Sequence, residues 1–208
     1  MTIPGDEMFN YSANRELESS AKVKALEALL IEKGVLSSSS VDKILEYFDT
    51  KMGPFNGAKL VAKAWKDPEF KELLLNDCNL ACEQLDMPTG MSGAEGEIMR
   101  VAENTSSVHN LIICTLCSCY PWPTLGLPPY WFKDPTFRAR SAREPRVVLS
   151  EFGLELETDV EIRVWDSSGQ IRWWVLPEQP EGTNEMSEEE LAALITPESM
   201  MGVSKVVL

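Results

Sequence analysis

Cys114-Thr115-Leu116-Cys117-Ser118-Cys119 is the stretch around which the rest of this chain reads as organised. It holds three of the chain's five cysteines, directly behind the apolar run Leu111-Ile112-Ile113. A disulfide between Cys117 and Cys119 is disfavoured, because the bridge has narrow distance and dihedral limits that so short a loop meets badly. Ligation of a metal by thiolates, which are soft and strong donors, is the reason that remains. If Cys117 and Cys119 hold one metal, the backbone nitrogens of Ser118 and Cys119 lie between the two sulfurs. Counting bonds, the Cys117 sulfur and the Ser118 nitrogen close a six-membered chelate ring. The two nitrogens close a five-membered ring, and the nitrogen and sulfur of Cys119 close another. Those four donors can lie near one plane, with Cys114 reaching the metal from below. A peptide N–H is normally a donor, not a ligand. Deprotonating it takes a strongly Lewis-acidic trivalent metal that favours five or six ligands. Structural zinc, tetrahedral and wider in its ligand spacing, fits badly. A sixth position left open for water or substrate is the mark of a catalytic centre.

Working outward, Val108 to Cys114 reads as a strand that ends at this loop, and Ile98 to Ala102 as another, with a turn over residues 103–107. Tyr120 to Pro129 contains four prolines, so its backbone is stiff and is expected to form neither helix nor inner strand; it suits a wall beside a reactive centre. Thr136 to Phe152 reads as a helix bent near Pro145 and closed by Gly153. Val160 to Asp166 and Ile171 to Leu176 read as two strands of a hairpin joined through Ser167-Ser168-Gly169. Ser187-Glu188-Glu189-Glu190 is a capping box for a short helix to Ile195, and the apolar tail from Val203 suits an edge strand.

Upstream, residues 1–20 read as an extended arm. Ala21 to Lys33 is a helix stopped by Gly34, and Val41, Ile44, Leu45 and Phe48 recur at helical spacing in a second. A third covers Asn56 to Lys66, and Asp67-Pro68 starts a fourth that runs to about Leu85. Cys78 and Cys82 share one face of it and read as small buried residues. The chain therefore divides into a helical arm and helices over 1–86 and an α+β metal-binding domain over 87–208. The fold class is α+β: a helical N-terminal half, then a layered, mixed sheet-and-helix half that carries the cysteine loop.

Composition bounds the function. At 208 residues the chain can bury a sizeable core. A formal charge of −14 argues against nucleic acid or anionic membranes as partners. No apolar run approaches membrane-spanning length, and the first ten residues lack a basic segment followed by an apolar one, so the reading is cytoplasmic. Five cysteines, an odd number and clustered, agree with a reducing compartment. The single histidine, His109, lies on the same strand face as Leu111 and Ile113 and reads as a satisfied structural residue. Histidine-based triads would all depend on it, and histidine-rich zinc centres are excluded.

The run Cys114 to Pro123, followed by Leu125-Gly126-Leu127-Pro128-Pro129, resembles the alpha subunits of nitrile hydratases. The likeness extends through Arg138-Ala139-Arg140, Arg143-Glu144-Pro145-Arg146, Glu151-Phe152-Gly153, Val160 to Asp166 and Met201-Gly202-Val203. It covers the chain from about Gly93 to the C-terminus and, more loosely, the helical half. The resemblance implies a lyase that converts a nitrile and water into an amide at a non-corrin cobalt (Co3+) or non-haem iron (Fe3+) centre. The implied ligands are the sulfurs of Cys114, Cys117 and Cys119 and the amides of Ser118 and Cys119, matching the set argued from spacing. It further implies oxidation of Cys117 to a sulfinic acid and Cys119 to a sulfenic acid. The sulfenate oxygen of Cys119 would then act as nucleophile or as base toward water, and both remain open. Thr115 and Tyr120 resemble the cobalt class.

The same resemblance places Trp122 in the substrate pocket, with interface packing as its other reading. Glu95 stands where many members carry a pocket Gln, and its other reading is an exposed loop acid. Asp166 and Arg172 match a hydrogen-bond network near the subunit interface. The arginines between Arg138 and Arg146 suit buried interface ion pairs. Buried oxidised sulfurs need charged donors, which in the family come from a beta subunit. The implied partners are that beta subunit, in a heterodimer that can pair into a heterotetramer, a small-molecule nitrile, and a metallochaperone or activator for cobalt loading. One rival is the metal-binding subunit of thiocyanate hydrolase, for which Arg is expected where Trp122 stands. Another is a non-catalytic zinc or thiol module using His109 as a fourth ligand.

Overall fold

The structure, a computed structural model, describes residues 13–90, 97–116 and 119–208, with side chains from residue 18 onward. Helices α1 (Ala13–Glu32) and α2 (Ser38–Lys51) lead the chain, the second capped by the Ser37 hydroxyl, which accepts from the Ser40 N–H at 3.1 Å. No described side chain of either is fully buried, and Val23, Leu26, Ile44 and Leu45 are more than half exposed. Burial begins with α3 (Pro54–Lys66), whose Leu60, Val61, Ala62 and Ala64 enter the core.

The long fourth helix expected after Asp67 is two helices. Asp67 caps α4 (Pro68–Asn76), and its carboxylate accepts from the N–H groups of Glu69 and Phe70 at 3.0 Å. Asp77 then ends α4 and caps α5 (Cys78–Glu83), accepting from the Leu80 N–H at 3.0 Å. An aspartate inside a helical pattern competes with the backbone and so serves better as a cap. Cys78 and Cys82 are buried on α5, as expected.

Strands β1 (Ile98–Glu103), β2 (Val108–Ile113), β3 (Glu161–Asp166) and β4 (Ile171–Leu176) follow the expected boundaries, but their pairing differs. β3 and β4 do not form a hairpin, and the strands among the described residues make two separate pairs in place of the single mixed sheet expected. β1 pairs in parallel with β4, Ile98 opposite Ile171, and β2 pairs in parallel with β3, Val108 opposite Glu161. The Ser167–Gly169 turn thus passes the chain from one strand pair to the other. Trp165 of β3 and Trp173 of β4 stack across that passage, ring centroids 4.1 Å apart. Val203 to Leu208 carries no strand.

Between β2 and β3 lie α6 (Trp122–Leu125), a 3-10 turn at Tyr130–Lys133, α7 (Pro135–Arg143) and α8 (Pro145–Glu151). The helical turn α6 corrects the expectation of a helix-free proline stretch. Pro121 precedes it and Pro123 falls in its first turn, where a missing N–H breaks no bond, and Gly126 at φ +70° ends it. The bend expected near Pro145 is a full break between α7 and α8. The capping box at Ser187 opens α9 (Glu188–Leu194), and a second at Thr196 opens α10 (Pro197–Met201). The core joins α3 to α5 with the strands, α9 and α10, and includes an edge-to-face cluster of Trp131, Phe137 and Phe152. The architecture is α+β.

Candidate metal centre

The cysteine loop leaves the C-terminal end of β2, where open parallel strand pairs commonly place their ligands. Ile113 is the last strand residue, registered opposite Asp166 at the end of β3. Cys114 follows, wholly buried. Thr115 is then held by Asp166: its N–H donates to one carboxylate oxygen at 2.9 Å and its hydroxyl to the other at 2.5 Å. One step further the Ser167 N–H donates to the Ile113 carbonyl at 2.8 Å, and the Ser167 hydroxyl accepts from the Trp173 N–H at 3.0 Å. The entry to the loop is therefore tied to both strand pairs. Arg172 donates to the Ser168 carbonyl and to Glu97, so it stiffens the same turn.

The exit is equally fixed. Cys119 is buried, and the next residue, Tyr120, packs edge-on against Phe132 at 5.1 Å and donates its hydroxyl to the Met201 sulfur at 3.2 Å. Burial pushes the Tyr120 hydroxyl far above its ordinary pKa, so it stays protonated. The Trp122 N–H donates to the Tyr120 carbonyl at 2.9 Å, and α6 then rests on α3. One amide group, Nδ2 of the buried Asn56, donates to the carbonyls of Pro123 (2.9 Å) and Lys51 (2.8 Å). A Cβ on Gly57 would lie 2.4 Å from the Thr124 carbonyl oxygen, so only glycine permits this approach. Sequence reasoning passed over Asn56 and Gly57. A glycine inside a helical pattern, costly unless something packs close, was the available signal.

Of the remaining expected site residues, Cys117, Ser118 and Glu95 lie outside the described residues. Trp122 is half-buried, while its neighbours Tyr120, Pro121 and Pro123 are buried, and its ring meets the edge of Phe48 at 5.6 Å. Among the described residues no three His, Cys, Asp or Glu side chains are grouped to hold a metal. The expected set draws instead on Cys117 and on backbone nitrogens. The described donors fit it: Cys114 and Cys119 supply buried sulfurs at the two ends of the loop, and the nearest carboxylate, Asp166, spends both oxygens on Thr115.

Two other groups are accounted for elsewhere. His109 Nε2 lies 2.7 Å from the Gly202 carbonyl and Nδ1 3.3 Å from the Asn104 amide, with burial holding its pKa below the ordinary value. Five residue-to-residue steps along extended chain, about 16 Å, separate it from Cys114, too far for a shared zinc. The Cys78 sulfur accepts from the Trp174 indole at 3.4 Å, and the thiol of Cys82 is pushed up by its hydrogen bond to Cys78 and by burial. The arginines expected at an interface are largely satisfied within the chain. Arg140 pairs with Glu144 at 2.6 Å and with both oxygens of Glu151 at 2.6 and 2.8 Å, and Arg146 donates to the carbonyls of Leu156, Glu157 and Val160.

The comparisons with known proteins agree with this geometry. The family described as nitrile hydratase, alpha chain, matches residues 17–204. The low-molecular weight cobalt-containing nitrile hydratase subunit alpha of Rhodococcus rhodochrous is 53% identical over 187 residues, 90% of this chain and 88% of that protein. The thiocyanate hydrolase subunit gamma of Thiobacillus thioparus is more distant, 40% identical over 187 residues, 86% of this chain and 76% of its own length. Among solved structures, a double mutant of the Fe-type nitrile hydratase from Comamonas testosteroni Ni1 superimposes with a TM-score of 0.83 at 40% identity, covering 94% of this chain and 92% of that one. The match over nearly the whole length, joined to a strand-end loop that presents Cys114 and Cys119, places this chain in the nitrile hydratase alpha chain family.

Proposed function

We propose that this chain is the metal-holding subunit of a nitrile hydratase, which adds water to a nitrile to give an amide. The observation that carries the reading is the cysteine loop, clamped by Asp166 at its entry and anchored by Tyr120 at its exit, in a chain of this family. Cys114, Cys117 and Cys119, with the backbone nitrogens of Ser118 and Cys119, would hold Co3+, with Fe3+ as the alternative metal. When bound, the ion supplies Lewis acidity toward the nitrile or water. The rest is done by the chain. Cys117 would be oxidised by dioxygen to a sulfinate and Cys119 to a sulfenate, four- and two-electron changes at sulfur, and their weaker donation would keep a bound ion acidic. The Cys119 oxygen would take a proton from water as the water oxygen adds to the nitrile carbon, or would add to that carbon itself and then be displaced from it by water, which restores the sulfenate. In both cases the nitrile nitrogen gains the proton and the imidic acid released tautomerises to the amide. Trp122 and Glu95 line the substrate side.

A beta subunit completes the centre. Two oxidised sulfurs are buried anions that need cationic donors. Leu116, inside the loop, is 84% exposed, and Leu127, just beyond the wall, is 72% exposed, which suits a surface awaiting cover. A heterodimer able to pair again, cobalt loading by an activator and a cytoplasmic setting complete the proposal, the last supported by the buried reduced thiols of Cys78 and Cys82.

The test is co-expression with a beta subunit in cobalt-containing medium, followed by an acetonitrile hydration assay and an accurate mass of the peptide spanning Cys114 to Cys119. Amide formation with oxygen added on Cys117 and Cys119, and none on Cys114, is expected. Bound zinc over bare thiols would overturn the reading. Turnover of thiocyanate without turnover of nitriles would replace it with the thiocyanate hydrolase branch, and iron without cobalt would reassign the metal.

A further inference from the structure

We infer that Phe48 of α2 is a specificity-determining residue, acting through Trp122 to set the size of nitrile the centre accepts; this rests on the nitrile hydratase reading above. Trp122 stands three residues beyond Cys119 and is the half-exposed ring in a stretch whose flanking residues are buried. Its backbone is fixed by the bond to the Tyr120 carbonyl, and its turn by the Asn56 amide on Pro123. Its ring is not fixed by those bonds. The ring packs partly against the core, and the aromatic ring that meets it is Phe48, edge-on at 5.6 Å with an interplanar angle of 63°. Edge-to-face pairs of this kind hold relative orientation as well as area.

Phe48 is itself set by the same brace. The Asn56 amide that grips Pro123 also grips the Lys51 carbonyl at the end of α2, so one side chain spaces α2 from the Trp122 turn. The Gly53 N–H adds a bond to the Pro123 carbonyl at 3.4 Å. Helix α2 buries no residue fully, so Phe48 can be exchanged without opening the core. Enlarging or removing its ring moves the Trp122 ring toward or away from the cysteine loop. A wall that moves by a ring's width discriminates between nitriles by bulk, and by an amount typical of apolar contacts.

The experiment uses the cobalt-loaded alpha-beta complex, with benzonitrile and acetonitrile as probes. Phe48→Ala lets the wall retreat, and kcat/KM for benzonitrile relative to acetonitrile is expected to rise about two- to tenfold. Phe48→Trp pushes the wall inward and moves the ratio the opposite way. The shift lies in KM, while cobalt content and the oxidised-peptide mass match the parent complex. A ratio that stays within about 1.5-fold of the parent in both variants overturns the inference. So does an equal loss on both nitriles, which is what a merely structural role produces. A parent complex that hydrates neither nitrile overturns the nitrile hydratase reading, and this inference with it. If one variant fails to assemble, the other carries the same two outcomes.

Discussion

Cys78 and Cys82 on one side, Cys114 and Cys119 on the other, are two pairs of the same residue in the same chain, and all four are buried. Burial therefore does not distinguish a structural thiol from a candidate ligand. Backbone context does. The first pair sits on α5, where Asp77 captures the opening N–H groups and the rest bond within the turn. A helical amide is already spent on a carbonyl and cannot serve a metal. The second pair lies outside any helix: Cys114 directly follows β2, and Cys119 directly precedes Tyr120 and α6. The first pair shares a hydrogen bond that, with burial, drives the Cys82 thiol away from the thiolate form, opposite to what a ligand needs.

The sharpest way to break this comparison is to exchange the members. Cys119→Ala in the cobalt-loaded complex is expected to abolish turnover, a loss of at least about a thousandfold. Cys82→Ala should leave the rate intact and cost about 1–3 kcal/mol in denaturant unfolding, as a cavity does. Equal losses of rate in the two variants would erase the distinction.

Next in size is the floor beneath the loop. Gly202 holds φ +83°, and a Cβ there would lie 1.9 Å from the Asn110 carbonyl oxygen on β2. Gly202→Ala is expected to destabilise the fold by about 2–4 kcal/mol, read as a lower denaturation midpoint. The clamp comes third. Asp166→Asn keeps the shape but turns one acceptor for Thr115 into a donor, and a loss of about 10- to 100-fold in activity or cobalt retention is expected. Unchanged cobalt content and rate would show that the loop is ordered without β3.

The smallest effect belongs to His109. Its folded pKa is lowered, chiefly by burial, so the unfolded chain takes up a proton first on acidification. Stability is thus full above the ordinary value of 6.5 and declines as pH falls below it toward the folded pKa. A modest fall in the unfolding midpoint is expected between about pH 6.5 and 5, before most carboxylates titrate. His109→Gln should flatten it.

What the sequence disclosed and what it concealed divides along range. The cysteine loop is a local chemical pattern, and its expected ligand set comes from counting bonds between neighbours. Caps at Asp67 and Ser187 are equally local, and they stood where read. Asp77 was misjudged because apolar periodicity continues across it, while its carboxylate ends one helix and starts the next. The pairing of β3 with β2, and of β4 with β1, was hidden because the turn chemistry at Ser167–Gly169 is that of a hairpin. Only the tertiary fold decides that the turn carries the chain between two strand pairs. The Asn56 brace joins residues 67 apart, and no local pattern signals such a bond.

The Thr115–Asp166 clamp spans 51 residues, and that distance has a meaning in time. During synthesis the three loop cysteines leave the ribosome well before the strand that will hold them, since parallel β3 arrives only after α6, α7 and α8. At about 5–20 residues per second, the loop waits several seconds without its clamp. Through that interval Asp166 is not yet there to accept from the Thr115 N–H and hydroxyl. The long crossover thus separates the emergence of the cysteine loop from that of the strand that ties its entry, and the order of the chain sets the interval between them.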